Sequence, residues 1–503
     1  MYKVCSTNGC QMSDIAAGLD AAIADGVDIL SISLGGRSKE YPRDPMVTAA
    51  FAATQRGILV SCSAGNDGPL ESSVTNEAPW ILTVGASTMD RSIRSTVRLG
   101  DGTEINGETL FQYKDFKPDQ LPLVVPSSSD DPYCFGSLDA TDAKGKVVLC
   151  MLGDGTNAEK GRIVKEAGGA GMILMNDEVE AYIIPDEAHV LPASHVSYAD
   201  GLKIKSYIKS TSNATAAIVF KGTLIGNSNR APTVAAFSSR GPSRQSNDIL
   251  KPDIIGPGVN VLAAWPSKLD VNYTSEGPNF NIISGTSMSA PHLSGVAALL
   301  KSVHPDWSAA MIKSAILTTA DPVDNQGKPI VDEKHERANL FATGAGHVNP
   351  SKAIEPGLVY DIGPENYISY LCAHNYTEED IKVITQNTIR CADYQKNGGT
   401  DLNFPSFTGY LKTSGSFIQM YNRTVTNVGG ANSIYKLEVT EPSGVSVVVE
   451  PQRLQFSRVN EKASYFVTLS IKDKTKGSYA EGELRWVSDE HVVRSPISVF
   501  MTT

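Results

Sequence analysis

A serine at the start of a predicted helix is the residue of this chain best placed for nucleophilic chemistry. Residues 285–292 read Gly-Thr-Ser-Met-Ser-Ala-Pro-His. Apolar residues follow at helical spacing, namely Leu293, Val296, Ala297 and Leu300. Ser287 is therefore predicted at the helix N-terminus, where free backbone N–H groups and the helix dipole favour the negative charge of an acyl-transfer intermediate. Taken alone, Ser287 or Thr286 would be interpreted as a simple N-cap.

A second segment, residues 61–69, supplies a candidate amide donor. It reads Ser-Cys-Ser-Ala-Gly-Asn-Asp-Gly-Pro and contains the end of a predicted strand. The side-chain amide of Asn66 can donate to the oxyanion that forms when a carbonyl is attacked, together with the backbone N–H of Ser287. The alternative for Asn66 alone is a turn residue before Asp67.

The two segments resemble motifs of the subtilisin-like serine proteases, the subtilases. Residues 285–292 are similar to the nucleophile motif and residues 61–69 to the oxyanion-asparagine motif, in the expected order. The nucleophile elbow of the α/β-hydrolases requires Gly-x-Ser-x-Gly, and Ser289 stands where its second glycine belongs. The resemblance implies a serine endopeptidase that hydrolyses peptide bonds through an acyl-enzyme on Ser287, with Asn66 as the oxyanion donor.

Strand and helix patterns alternate around these segments. Residues 13–26 and 45–56 predict helices, whereas residues 27–34 and 57–63 predict strands. Such alternation is typical of a parallel sheet with helices on both faces, in which ligands gather at the carboxyl ends of the strands.

Two strand ends are candidate substrate-binding segments. The first consists of Ser33, Leu34, Gly35 and Gly36. It resembles the subtilase strand that pairs with the substrate backbone, because glycine allows a second chain to approach closely. A plain strand-ending turn is the alternative. By the same resemblance, the second segment consists of Ser63, Ala64 and Gly65.

Changes of pattern divide the chain into four predicted segments. Residues 1–110 and 227–395 resemble the two parts of a subtilase catalytic domain, the second carrying Ser287. Residues 111–226 resemble the protease-associated insertion of plant-type subtilases. Residues 400–503 contain alternating strands between Gly and Pro turns and resemble a fibronectin-III-like domain. The expected fold is α/β, with a subtilisin-like parallel sheet covered by helices on both faces, a protease-associated domain insertion and a C-terminal fibronectin-III-like β-sandwich.

Two catalytic motifs of the resembled family do not occur in the sequence. A subtilisin-type triad runs Asp, His, Ser, and neither the Asp motif nor His-Gly-Thr-His occurs in residues 1–503. His292 and His347 lie in blocks where the family histidine is structural, so neither is predicted to be the base. Because the opening residues resemble an internal segment of longer members, we expect the chain to begin at an internal methionine.

This loss has consequences for chemistry and for packing. An unassisted serine hydroxyl is a poor nucleophile, so the chain alone is expected to be nearly inert. A sheet edge and apolar faces are expected to be uncovered, and the chain alone is expected to fold poorly. The alternative interpretation is a non-catalytic secreted binding or scaffold protein, a pseudoprotease that uses its insertion and its β-sandwich.

Composition narrows the class of partner. The net charge of −11 makes nucleic acid an unlikely partner, and no apolar run approaches the roughly 18 residues of a membrane span. No cofactor is expected. No metal is expected either, because no cysteine, aspartate or second histidine stands at ligand spacing beside His189 or His195. Protein or peptide substrates are expected, and the family resemblance suggests a homodimer formed through the insertion.

Cysteines and sequons favour an extracellular location, although the first residues lack the features of a signal peptide. The sequence-local couples are Cys5 with Cys10, Cys134 with Cys150, and Cys372 with Cys391, leaving Cys62 single; free buried thiols are the alternative. The predicted glycosylation sites are Asn213, Asn272, Asn375 and Asn422. By family resemblance, the expected location is the apoplast or the cell wall.

Overall fold

The computed structural model describes the chain except for residues 8, 114–115, 127–131, 137, 139, 227–229, 266–278, 395–400, 413–417, 474–477 and 503. The helices of the described residues are α1 (Met12–Ala24), α2 (Pro45–Gln55), α3 (Ala140–Ala143), α4 (Asn157–Glu166), α5 (Tyr198–Ser210), α6 (Thr286–Val303), α7 (Ala309–Thr318), α8 (Leu340–Thr343), α9 (Pro350–Ala353), α10 (Pro364–Ala373), α11 (Glu378–Thr385) and α12 (Cys391–Tyr394). The strands are β1 (Ile29–Ile32), β2 (Leu59–Ser63), β3 (Ile81–Ser87), β4 (Arg91–Leu99), β5 (Glu104–Glu108), β6 (Leu121–Val124), β7 (Val147–Met151), β8 (Gly171–Met175), β9 (Ala193–Val196), β10 (Thr215–Ile225), β11 (Ile254–Pro257), β12 (Val261–Ala264), β13 (Phe280–Ile283), β14 (Leu358–Tyr360), β15 (Phe407–Lys412), β16 (Ile418–Asn427), β17 (Ile434–Thr440), β18 (Val445–Glu450), β19 (Arg453–Gln455), β20 (Lys462–Ile471), β21 (Tyr479–Val487) and β22 (Val492–Thr502).

A four-stranded parallel sheet forms the first layer of the molecule. Its strand order is β1, β2, β3, β11, and every neighbouring pair is parallel. β2 and β3 are buried along their whole length, as expected for strands covered on both faces. The predicted alternation of strands and helices is confirmed, and α1, β1, α2 and β2 begin and end within two residues of the sequence-based limits.

The helix α6 lies across this sheet and contacts all four strands. Ser61 on β2 donates its hydroxyl to the carbonyl of Ala290 on α6, at 3.1 Å. Ser31 on β1 stands opposite Ser61 in the parallel register, so it points to the same face of the sheet. Ser31 is nevertheless exposed, because α6 leaves the outer part of this face uncovered near β1.

The middle of the chain forms a closed barrel with the strand order β10, β4, β5, β9, β8, β7, β6. Its interior is apolar and includes Val97, Leu149 and Ile173. Two of its strands, β4 and β5, lie before residue 110, where the sequence analysis places the start of an insertion. β4 belongs to the barrel because it pairs along its whole length with β10, a contact more than a hundred residues apart in sequence.

The C-terminal region is a β-sandwich of two sheets. The first has the order β14, β16, β20, β18, and the second has the order β15, β22, β21, β17, β19. Trp486 and Tyr465 pack edge to face in its core. β14 comes from the segment before residue 400, so the sandwich includes a strand from the preceding predicted segment.

Three disulfides join the cysteine couples expected from the sequence. They are Cys5 with Cys10, Cys134 with Cys150, and Cys372 with Cys391, and Cys62 is a buried free thiol. Among the described residues, no helix has both the length and the apolar character needed to cross a membrane.

Candidate active site

Ser287 occupies the first turn of α6, as the sequence predicts. The helix begins at Thr286, after Gly285, and the N–H of Met288 donates to the carbonyl of Gly285 at 3.0 Å. Ser287 is half-buried, whereas Thr286 before it is fully buried. The Ser287 side chain thus stands at the N-terminus of α6, where the helix dipole favours negative charge.

Asn66 follows the end of β2 and contacts the start of α6. Its Oδ1 accepts from the N–H of Thr286 at 3.0 Å and from the Thr286 hydroxyl at 2.8 Å. A backbone N–H can only donate, so these contacts fix the orientation of the amide and turn Nδ2 away from Thr286. Nδ2 lies beside Gly285, where an added Cβ would be 3.7 Å from it. The amide donor and the Ser287 turn therefore lie side by side.

Gly65 allows Asn66 to take this position. Its φ of +103° favours glycine, and a Cβ there would lie 2.8 Å from the hydroxyl oxygen of Ser239. The Gly65 carbonyl also accepts from the Thr286 hydroxyl, at 3.2 Å. The second predicted substrate segment, residues 63–65, thus contacts the start of α6. The Ala64 N–H and carbonyl already bond to Val84 and Thr75, and the carbonyl of Ser63 accepts from a side chain.

The first predicted substrate segment, residues 33–36, lies directly after β1 and contacts α6. The Ser33 hydroxyl donates to the carbonyl of Ser287 at 2.5 Å. Leu34 is half-buried, whereas Gly35 and Gly36 are exposed. The structure therefore brings this segment, Asn66 and Ser287 together at the carboxyl ends of β1 and β2, which is the usual place for a site in such a sheet.

Asn76 supports both strand ends, and sequence reasoning missed it. Its buried side-chain amide donates to the carbonyl of Leu34 at 2.9 Å and to that of Ser63 at 2.8 Å. Asn76 has a φ of +54°, a conformation that asparagine tolerates better than most residues. Nothing in its local sequence indicates this role, because both partners are distant in the chain.

Neither histidine near the nucleophile helix is bonded to Ser287. His292 is exposed, and its Nδ1 pairs with the carbonyl of Met288 at 2.8 Å. His347 pairs with the carbonyl of Val348 at 3.1 Å, and burial lowers its pKa. Within the described part of the chain, no imidazole or carboxylate is hydrogen-bonded to the Ser287 hydroxyl. That neither histidine acts as the base stays a prediction.

A buried charge cluster lies beneath the sheet. Asp253 accepts from the ammonium of Lys251 at 2.7 Å and from the N–H of Thr83, and the Lys313 ammonium is 3.2 Å from its second oxygen. Burial lowers the pKa of Lys313 to about 7, although Asp253 opposes this shift. The cluster ties β3, β11 and α7 together with groups that are costly to leave unpaired.

The two histidines of the barrel are buried and neutral. Burial lowers the pKa of His189 to about 4 and that of His195 to about 3. The Nε2 of His195 pairs with the side-chain oxygen of Asn176 at 2.7 Å. Across the described residues, no group of three or more His, Cys, Asp or Glu side chains is arranged to hold a metal ion.

Three of the four predicted glycosylation sites can be placed. Asn213, Asn375 and Asn422 are all exposed. Asn272 lies outside the described residues.

Comparisons with known proteins agree with these observations. A model of the subtilase family matches residues 1–346, and a model of a fibronectin type-III domain matches residues 401–499. The Arabidopsis thaliana subtilisin-like proteases SBT1.2 and SBT1.7 are 46% and 45% identical to this chain, and each match covers 100% of the chain and 67% of the relative. The chain thus spans about two thirds of the length of these relatives.

A solved structure also matches. The psychrophilic subtilisin-like protease Apa1 from Pseudoalteromonas sp. AS-11 is 16% identical, with a TM-score of 0.34, over 70% of this chain and 76% of that chain.

Proposed function

The chain belongs to the subtilase family of serine proteases, and we propose that Ser287 is its nucleophile for peptide-bond hydrolysis and Asn66 its oxyanion donor. The observation that carries the proposal is the contact between Asn66 Oδ1 and Thr286, which fixes the Asn66 amide at the start of α6 with its Nδ2 beside Gly285. A helix N-terminus and a fixed amide are the two kinds of donor that stabilise a developing oxyanion.

In the proposed reaction, the Ser287 oxygen bonds to the carbonyl carbon of the substrate. The electron pair of the carbonyl moves to its oxygen, which the Asn66 Nδ2 and the Ser287 N–H hold. A base takes the hydroxyl proton of Ser287. The carbon–nitrogen bond then breaks, and the leaving amine takes up the proton. Water hydrolyses the ester that remains on Ser287.

We propose that the base acts from the uncovered side of α6. No described residue supplies a base in contact with Ser287, whereas α6 and the neighbouring β1 are exposed along one side. Ser31 on β1 and His292 on α6 both face solvent there. A base held on that side would approach Ser287 without disturbing Asn66.

The substrate backbone is proposed to lie along Gly35 and Gly36. Both glycines are exposed and directly follow the Ser33 contact with Ser287. An extended peptide can pair with such a strand end through its main chain, as in β-strand addition. The substrates are thus proteins or peptides whose scissile bond lies beside the first turn of α6.

Three further proposals concern the setting of the protein. An extracellular location agrees with the three disulfides and with the exposed Asn213, Asn375 and Asn422 as glycosylation sites. The barrel corresponds to the protease-associated insertion. A homodimer through the barrel is supported by an aromatic cluster on it that includes Phe111 and Tyr113, the latter 56% exposed.

Reaction with a fluorophosphonate probe tests the proposed nucleophile. We expect slow formation of one adduct on the purified chain, mapped by mass spectrometry to Ser287. Ser287→Ala should abolish it, and Ser302→Ala, which removes an exposed serine of the same helix, should leave it unchanged. An adduct that persists in Ser287→Ala would refute the assignment. No adduct, with partner binding retained, would favour the non-catalytic binding protein instead.

A further inference from the structure

A pair of buried carboxyl groups lies where the barrel meets the parallel sheet. Glu108 ends β5 of the barrel, and Asp186 lies in the connection between β8 and β9. The two residues lie close together, because Asn260 contacts both the N–H of Asp186 and the side chain of Glu108, and repulsion from Glu108 adds to burial in raising the pKa of Asp186. Asp186 is 3% exposed, and neither of its carboxyl oxygens has a hydrogen-bond partner among the described residues. Two neighbouring buried carboxylates repel one another, so the pair retains one proton.

Asn260 joins this carboxyl pair to the main body of the protein. Its Oδ1 accepts from the N–H of Asp186 at 2.8 Å. Its Nδ2 donates to Glu108 at 3.4 Å and to the carbonyl of Ile184 at 2.9 Å. Asn260 adopts a φ of +56°, which is uncommon for a residue other than glycine and is maintained here by contacts on several sides.

The same asparagine contacts the turn that leads into the nucleophile helix. The N–H of Asn260 donates to the Ser284 hydroxyl at 2.9 Å, and that hydroxyl donates to the Asn260 Oδ1 at 3.3 Å. Next along the chain, the N–H of Gly285 donates to the carbonyl of Gly258 at 2.8 Å. A continuous series of contacts therefore runs from the barrel carboxyls through Asn260 to the residue three positions before Ser287.

The approach of the two segments is close. A Cβ on Gly258 would lie 3.0 Å from the carbonyl oxygen of Gly285 and 2.6 Å from the Cβ of Ala86. The segments around Asn260 and Ser284 are closely packed. A displacement of Asn260 therefore has to move the turn at residues 284–286 or break the hydrogen bonds between Asn260 and Ser284.

Other charged groups surround the pair and offset only part of the free-energy cost of burying two carboxylates. Arg94 on β4 stands opposite Glu108 in the strand register, and Arg91 donates to the carbonyl of Asn260. A cavity of about 270 Å³ beside the pair is lined further by Asp200, Arg230 and His335. On the other side, His195 of β9 is paired with Glu108 in the register and is neutral.

We propose that Asn260 is a positioning residue for Ser287. In this proposal, a proton retained by the Glu108 and Asp186 pair keeps Asn260 in contact with both the barrel and the turn at residues 284–286. This inference rests on the proposed role of Ser287. When the proton is lost, two like charges remain in a buried interface, Asn260 separates from the barrel, and the turn at residues 284–286 loosens.

The direction of the pH effect follows from the same groups. Burial raises the pKa of Glu108, and burial together with repulsion from Glu108 raises that of Asp186, above the values of exposed carboxyl groups. The closed interface therefore binds more protons than the opened one. The stability of the closed interface is complete below the pKa of an exposed carboxyl, about 4. It is lost as the pH rises through the pKa of the buried pair. The equilibrium constant for opening then increases by up to about tenfold per pH unit.

Hydrogen exchange measured by mass spectrometry at several pH values tests this proposal without requiring catalysis. After correction for the intrinsic pH dependence of exchange, the amides of residues 284–288 should open more often as the pH rises from about 5 to about 7. Amides of β16 and β20 in the sandwich serve as the internal reference for global folding.

Variants separate the proposed series of contacts from general destabilisation. Glu108→Gln with Asp186→Asn should remove the pH dependence at residues 284–288. Glu187→Gln, which changes a neighbouring carboxyl with no contact to Asn260, should keep it. Asn260→Gly, which allows the positive φ but lacks the amide, should raise exchange at residues 284–288 at every pH.

Two results would overturn the proposal: a full pH dependence in the double variant, or unchanged exchange in Asn260→Gly. If the double variant does not fold, Asp186→Asn alone must reduce the pH dependence, and an unreduced one refutes the proposal. Failure of the fluorophosphonate reaction at Ser287 with exchange as expected would refute the proposed function and leave this coupling intact.

Discussion

The two sides of α6 differ sharply in burial. On the sheet side, Leu293 and Ala297 are fully buried and Leu300 is 1% exposed. On the opposite side, Leu299 is 61% exposed and Val303 is 53% exposed. One helix thus carries a well-packed face and an apolar face that contacts solvent.

The difference separates two functions of the site. The packed side holds everything that fixes the oxyanion donors, since α6 is anchored on the sheet, Asn66 on Thr286 and Ser33 on Ser287. The open side adjoins β1, a terminal strand of the sheet, and offers no base to Ser287 among the described residues. The contacts that fix the proposed nucleophile and oxyanion donor therefore do not involve the open side of α6.

A matched pair of substitutions on α6 should give the largest effect. Leu293→Ala should cost about 2–5 kcal/mol of unfolding free energy, because it leaves a cavity against the sheet. Leu299→Ala, the same change on the open side, should stay within about 0.5 kcal/mol. Urea unfolding of both variants measures the difference. Equal losses would mean that the open side is covered in solution, and the comparison would fail.

The buried cluster of Lys251, Asp253 and Lys313 predicts a smaller, pH-dependent effect on the free energy of unfolding. Lys313 has a folded-state pKa of about 7, whereas an exposed lysine has one of about 10.4. The unfolded state therefore binds more protons between these values, and Lys313 makes stability rise with pH by up to about 1.4 kcal/mol per pH unit. Relative to the wild type, Lys313→Met should lose this rise.

Lys209→Met changes an exposed lysine of α5 and serves as the control. It should keep the pH dependence of the wild type in thermal or urea unfolding between pH 7 and pH 10. A Lys313→Met variant with the same slope as Lys209→Met would show that Lys313 is not forced toward its neutral form in the folded protein.

Local signals in the sequence predicted the parts of the site that lie next to regular elements. Ser287 and Asn66 were predicted as site residues because residues 285–292 and 61–69 resemble two subtilase motifs, and the helix period after Ser287 and the strand before Asn66 placed them on elements. The ends of β1 and β2 were predicted to lie together because parallel strands finish at the same edge of a sheet. These features depend on a few neighbouring residues.

Other parts depend on contacts between distant segments, which composition and periodicity do not encode. Asn76 and Asn260 look like ordinary turn residues, and each bonds to partners far away in sequence. β4 joins the barrel because β10 pairs with it, although β4 lies before the predicted insertion. The sequence analysis expected uncovered apolar faces but did not place them on α6, because the location of such a face depends on the packing of distant segments.

Whether Asn66 and the start of α6 form one oxyanion site is tested most directly by the rate at which a fluorophosphonate modifies Ser287 in Asn66→Ala. We expect a fall of about 100-fold to 1000-fold, the range that loss of the corresponding donor costs in a subtilisin. Thr286→Val, which removes the hydroxyl contacts to Asn66 and Gly65 but keeps the N–H contact to Asn66, should change the rate far less. A rate in Asn66→Ala within about twofold of the wild type would contradict the claim that Asn66 and the start of α6 form one oxyanion site.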